Sequence, residues 1–169
     1  MSEQVVLQAE VTNVKKEHHC NCKTGCRTYR CKCLKNHEPC DESCGCTDCQ
    51  NPLNGVDVES LSVCAIDNIE AYKALTAEKL ETPYALLCGH ESVPLKELLN
   101  TYRCGECGGA FRYSFCWNMV VEEGHFWHCG VCRQCREWRE WHCKNCNKCT
   151  YGVTRPCEHC GSAEGMLGR

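Results

Sequence analysis

Small, irregular modules stapled by metal are the fold class this sequence predicts, in place of one domain around a large apolar core. Three observations predict it. Cysteine supplies 22 of the 169 residues. The cysteines recur as C-x-C and C-x-x-C pairs, spacings that suit a metal-binding turn. They also fall in two dense runs, nine within residues 20–49 and eleven within 104–160, with two between. Modules this small bury too little apolar surface to be stable unaided, so metals or disulfides must supply the difference.

Disulfides need an oxidising compartment. The opening MSEQVVLQAEVTNVKKE has neither the apolar core nor the small-residue cleavage site of a signal peptide. No stretch approaches the roughly 18 consecutive apolar residues of a membrane span. These features point to an intracellular chain without membrane association, and to zinc ahead of disulfides, iron–sulfur clusters or copper. The chain divides into an N-terminal arm (1–17), a nine-cysteine zinc-cluster domain (18–52), a helical connector (53–103), a multi-zinc-finger module (104–161) and a tail (162–169).

Within the arm, residues 4–14 have strand-like composition. In the connector, Ile66, Ile69, Ala71, Tyr72 and Leu75 fit one face of a helix between Val58 and Leu80, which Thr82-Pro83 ends. A second short helix is expected with Ser92 as cap, Pro94 in its first turn and Leu95, Leu98 and Leu99 on one face. Cys64 and Cys88 read as buried thiols, with Cys88-Gly89-His90 as an alternative source of ligands.

The first run is Cys20, Cys22, Cys26, Cys31, Cys33, Cys40, Cys44, Cys46 and Cys49. Nine thiolates satisfy three tetrahedral zincs if three of them bridge, because six terminal and three bridging ligands supply the twelve bonds needed. Adjacent C-x-C side chains are poorly placed to chelate one ion but can reach two neighbouring ones. Two zincs with a spare cysteine is the alternative. The segment is polarised. Lys15, Lys16, Lys23, Arg27, Arg30, Lys32 and Lys35 face only Glu17, whereas Glu38, Asp41, Glu42 and Asp48 follow without a base.

The run CNCKTGCRTYRCKCLKNHEPCDESCGCTDCQNP resembles the CXC (cysteine-rich) domains of tesmin-type transcription regulators. It is also similar to the CXC domain of the ubiquitin-ligase subunit of the insect dosage-compensation complex. The resemblance implies a three-zinc cluster that binds double-stranded DNA. In tesmin-type domains a tyrosine directly before the fourth cysteine enters the minor groove. Here Arg30 holds that place and Tyr29 precedes it, which looks more like the dosage-compensation type, where arginine serves instead. Arg27, Tyr29, Arg30, Lys23, Lys32 and Lys35 are therefore the expected DNA contacts, since arginine suits a narrow, electronegative groove and lysine neutralises phosphate. Against this, three Zn2+ with nine thiolates carry a net negative charge that offsets the basic run, which then reads as a solvated face. A single module should bind weakly and with steep salt dependence, so a dimer or a partner would supply a second.

The second run holds Cys104, Cys107, Cys116, Cys129, Cys132, Cys135, Cys143, Cys146, Cys149, Cys157 and Cys160. Two of its stretches repeat: Trp127-His128-Cys129-x2-Cys132-x2-Cys135 and Trp141-His142-Cys143-x2-Cys146-x2-Cys149. Over residues 126–150 this resembles the CTCHY zinc-finger region of CHY-type RING ubiquitin ligases. Eleven cysteines and one histidine suffice for about three zincs, and His128 and His142 lead among the histidines. Ribbon, treble-clef and RING-like pairings all fit. The aromatics from Phe111 to Trp141 are expected to form small cores between zinc knuckles. Arg133, Arg136, Arg139 and Trp138 are an alternative stacking surface for bases or a partner.

Catalysis is not expected. Thiolate-saturated zinc has no open position, and Pro156-Cys157-x2-Cys160 lacks the upstream His-x-Glu of a zinc deaminase. The leading expectation is a nuclear DNA-binding regulator of transcription or chromatin whose C-terminal zinc module binds a protein partner. The alternative is an interaction scaffold or ubiquitin-ligase component with structural zinc. Zinc storage is disfavoured by the helices and tryptophans.

Overall fold

The computed structural model describes residues 16–163; the strand or arm expected over 4–14 lies outside them. The nine-cysteine segment is almost wholly irregular. Its one regular element is the single helical turn α1 (Lys32–Lys35). The thiols turn inward with Leu34 while the lysines of that turn face out.

The long helix expected between Val58 and Leu80 is instead a 3-10 turn (Val58–Ser60) followed by α2 (Val63–Asp67), α3 (Ile69–Lys73) and α4 (Ala77–Glu81). Two polar side chains break it. Asn68 leaves the helical region and its side-chain amide donates to the Cys64 carbonyl at 2.8 Å, competing with the backbone ladder. Thr76 takes an extended conformation and caps α4 through the Lys79 N–H at 3.2 Å. Of the expected apolar face, Ile66 and Ile69 are buried and Tyr72 and Leu75 half-buried, but Ala71 is exposed.

The second expected helix is also corrected. Ser92–Pro94 form strand β2, paired antiparallel with β1 (Pro83–Ala85), so Ser92 is no helix cap. Only Leu95–Leu98 turn helically, as a 3-10 segment whose Leu95 and Leu98 are fully buried. The loop of this hairpin carries Cys88-Gly89-His90, and Gly89 supplies the left-handed residue (φ 74°) that the turn needs.

Beyond residue 101 the chain is a series of antiparallel ribbons. β3 (Tyr102–Arg103), β4 (Ala110–Ser114) and β5 (Met119–Glu122) form one sheet. Two hairpins follow, β6 (Phe126–Cys129) with β7 (Gln134–Glu137) and β8 (Glu140–Cys143) with β9 (Lys148–Tyr151). The sequence repeat is a structural repeat. Trp127 Nε1–H donates to the Glu137 carbonyl at 3.0 Å, and Trp141 Nε1–H to the Gly152 carbonyl at 3.1 Å. Each hairpin turns through a left-handed non-glycine residue, Arg133 (φ 54°) and Asn147 (φ 56°).

One apolar core runs from the nine-cysteine segment through Leu53, Leu61, Ile66, Leu95 and Leu98 to Phe111, Tyr113 and Phe115. A second, small core joins Trp141 to Cys143 and Cys157. The middle segment thus shares the main core with the nine-cysteine segment and the β3–β5 sheet. Of the aromatics expected in the cores, Phe111, Tyr113, Phe115 and Trp141 are buried, whereas Trp117 and Trp138 are exposed. Leu95→Ala is expected to cost about 2–5 kcal/mol, read as a lower denaturant midpoint of the metal-loaded chain.

Candidate metal centres

Two donors about 2.3 Å from a tetrahedral ion lie roughly 3.8 Å apart. The thiols of the nine-cysteine segment approach that spacing without forming disulfides. All are free, with sulfurs 3.7 Å apart for Cys20–Cys26, 3.6 Å for Cys20–Cys40 and 3.6 Å for Cys33–Cys44. They form overlapping groups of four: Cys20, Cys33, Cys40, Cys44; Cys20, Cys26, Cys31, Cys40; and Cys26, Cys40, Cys46, Cys49. Cys20, Cys26 and Cys40 recur between groups, the sharing that bridging ligands require.

Nearby donors offset the accumulating thiolate charge. Lys16 Nζ lies 3.0 Å from Cys44 Sγ, Asn51 Nδ2 3.3 Å from Cys40 Sγ and Asn54 Nδ2 3.4 Å from Cys49 Sγ. Burial works against ionisation of Cys44, yet hydrogen bonding by backbone and Lys16 outweighs it and brings the thiol down to about 6. The same opposition, with Asn51 backbone and Asn54 prevailing, leaves Cys49 at about 7.

Four further sets follow, each of four donors. Cys88 and His90, from the β1–β2 loop, meet Cys104 and Cys107 of the knuckle between β3 and β4. Cys88 Sγ and His90 Nδ1 each lie 3.8 Å from Cys104 Sγ. Cys64 of α2 meets Cys116, His128 and Cys135, at 3.8 Å from Cys116 and 3.5 Å from Cys135, with His128 Nδ1 3.5 Å from Cys135. Cys129, Cys132 and Cys149 surround His142 Nδ1 at 3.5, 3.5 and 3.7 Å. Cys143 pairs with Cys160, and Cys146 with Cys157, each at 3.6 Å.

Strand geometry explains this distribution. Successive residues of a strand point to opposite faces, so each His-Cys dipeptide is divided between two sets. His128 and its cross-strand partner Cys135 close one set, while Cys129 opens the next. His142 and its partner Cys149 close that set, and Cys143 opens the last. The hairpins are therefore joined in series by shared strands, a staggered arrangement that the sequence left undecided among ribbon, treble-clef and RING-like pairings.

Every expected cysteine ligand except Cys22 falls in one of these sets; Cys22 lies half-buried against the cluster, its carbonyl accepting from the Thr47 N–H at 3.0 Å. Both expected histidines fall in sets as well. Cys64, Cys88 and His90 fall in such sets too, Cys88 and His90 as the alternative reading of Cys88-Gly89-His90 allowed. For Cys88 and His90 the C-x-H pair ahead of Cys104-x2-Cys107 was the available signal. Cys64 carried none, since its nearest sulfur partners are 52 and 71 residues away. Imidazole and thiolate donors at these spacings are compatible with zinc.

The expected DNA contacts divide. Lys23, Arg27, Arg30, Lys32 and Lys35 are exposed, but Tyr29 is half-buried beneath the Arg133 guanidinium. Arg136 is engaged by Glu140 at 3.1 Å, while Arg139 lies between the exposed rings of Trp138 and Tyr151, 5.4 and 5.9 Å from their centroids. Compared with family models, curated proteins and solved structures, the chain matches nothing.

Cys88→Ser should remove one metal equivalent from the loaded chain, counted by native mass spectrometry. An unchanged count would return Cys88 to the role of a buried thiol.

Proposed function

We propose that the chain is a zinc-dependent DNA-binding protein, a nuclear regulator of transcription or chromatin that reads duplex DNA through its nine-cysteine module. The observation that supports this most directly is the separation of charge in that module. Cys20, Cys26, Cys31 and Cys33 are buried and the other five thiols half-buried, while Lys23, Arg27, Arg30, Lys32 and Lys35 stand exposed. Three zincs would need Cys20, Cys26 and Cys40, which recur between the overlapping groups, as bridges, with Cys33 and Cys44, and Cys46 and Cys49, as terminal pairs, and with Cys31 joined by Cys22, which packs against the cluster outside those groups. Four more zincs would occupy the later sets. All these donor sets close the coordination sphere with protein atoms, a structural rather than a catalytic design.

On this reading Arg27 and Arg30 insert into the minor groove and the lysines neutralise phosphates. Tyr29, stacked on Arg133, holds the loop that presents both arginines. The C-terminal hairpins offer a second surface. The Trp138–Arg139–Tyr151 stack favours a protein partner there, and it is the observation behind the alternative of an interaction scaffold or ubiquitin-ligase component.

The test is titration of the zinc-loaded chain with AT-rich and GC-rich duplexes across a salt series. AT-preferring binding is expected, weakening steeply with salt. Arg27→Ala and Arg30→Ala should each cost about 1–3 kcal/mol with zinc content unchanged. No binding at low salt by protein that holds its zinc would transfer the function to the scaffold reading.

A further inference from the structure

Besides the shared apolar core, two polar side-chain contacts reach from residues 29 and 37 to the neighbourhood of the set formed by Cys64, Cys116, His128 and Cys135. The first runs through Asp67, three residues after Cys64 on α2. Its side chain is fully buried, and its two oxygens accept from His128 Nε2 and His37 Nε2, each at 2.8 Å. His128 turns Nδ1 toward the thiols and Nε2 toward Asp67, so a metal held at Nδ1 would leave the Nε2 proton for the carboxylate, the arrangement of a metal-ligating histidine with a carboxylate partner.

The second contact is Arg133, two residues before Cys135, whose guanidinium lies over the Tyr29 ring. The left-handed backbone of Arg133 is fixed by the hairpin turn that also sets Cys132 and Cys135. His37 and Tyr29 bracket the segment that carries Arg30, Lys32 and Lys35.

We infer that the Cys64–Cys116–His128–Cys135 set is a zinc site acting as a latch: an ion there fixes Asp67 and Arg133, which in turn hold His37 and Tyr29 and set the pose of residues 27–37. No ligand of the latch belongs to the nine-cysteine cluster, so zinc at one place governs order at another. Two closures produce this. Coordination joins α2 to the β6–β7 hairpin, and the outer carboxylate and guanidinium reach across to the basic loop. The consequence for DNA rests on the nucleic-acid reading above; the latch itself does not.

The test is hydrogen exchange of the full, zinc-loaded chain without DNA, with zinc counted in parallel by native mass spectrometry. The reporters are amides of the basic loop and its helical turn, including Cys31 N–H, bonded to the Thr28 carbonyl at 2.9 Å, and Lys35 N–H, bonded to Cys31 at 2.9 Å. The double variant His37→Ala/Arg133→Ala removes no ligand; it should keep every zinc while exchange over 27–37 speeds by about tenfold. Cys64→Ser should lose one zinc and show the same acceleration. A fully loaded double variant that exchanges like wild type would overturn the latch, as would Cys64→Ser losing its zinc with the loop still protected. Should Cys64→Ser not fold, the double variant decides alone. Since the readout contains no DNA, failure here leaves the nucleic-acid reading standing, and failure of the wild-type DNA titration leaves the latch standing.

Discussion

Four donors drawn from three separate stretches of chain meet at Cys64, Cys116, His128 and Cys135, and the relative placement of the rest follows from that meeting. Cys64 comes from a five-residue helix, Cys116 from the turn after β4, and the other two from the β6–β7 hairpin. None of these pieces is long enough to order itself: isolated helices shorter than about 12 residues and lone hairpins are marginal in water. Closing such distant segments on one point removes a large share of the chain's freedom at a single stroke. The main apolar core surrounds the same point, with Ile66, Ile69, Phe111 and Phe115 buried about it.

From there the architecture propagates by strand alternation. Each hairpin contributes a histidine and a cysteine to the set behind it and two cysteines to the set ahead. The series needs little apolar burial between units, and the second core is accordingly small, with Trp141 its main side chain. Tryptophan is used alike in both repeats, its indole N–H tied to a backbone carbonyl across the hairpin. Position in the series then separates their fates: Trp141 is buried, while Trp127 remains partly accessible.

Charge is the second constraint. Thiolates gathered in a protein interior are stable only where donors and cations offset them. Lys16, Asn51 and Asn54 do this for the nine-cysteine cluster, Ser114 Oγ (3.1 Å from Cys135 Sγ) for the composite set, and Asn145 Nδ2 (3.4 Å from Cys160 Sγ) for the last. The asparagines do double duty. Asn68 reaches Cys116 Sγ at 3.5 Å while breaking the helix that the apolar pattern alone favours. Lysines and arginines of residues 23–35 are exposed on one part of this module and Asp41, Glu42 and Asp48 on another, and the proposed function rests on the basic part.

Local rules made much of this legible in the sequence. The C-x-C and C-x-x-C spacings marked nearly all the cysteines of the candidate metal sets, the count of nine suggested shared thiolates, and the Trp-His-Cys repeat marked the two stretches that fold as equivalent hairpins. Those features are written within a few residues of one another, where covalent geometry limits what the chain can do. The apolar period also identified the buried positions Ile66, Ile69, Leu95 and Leu98, although not the helices around them, because Asn68 and Thr76 redirect the backbone through single hydrogen bonds. Tertiary structure alone decided the rest: that Cys64 joins a set with partners tens of residues distant, that adjacent His and Cys serve different sets, and that Tyr29 lies beneath Arg133. Each of these depends on which surfaces meet after the chain has closed on itself, and no local pattern of residues encodes a meeting between segments so far apart.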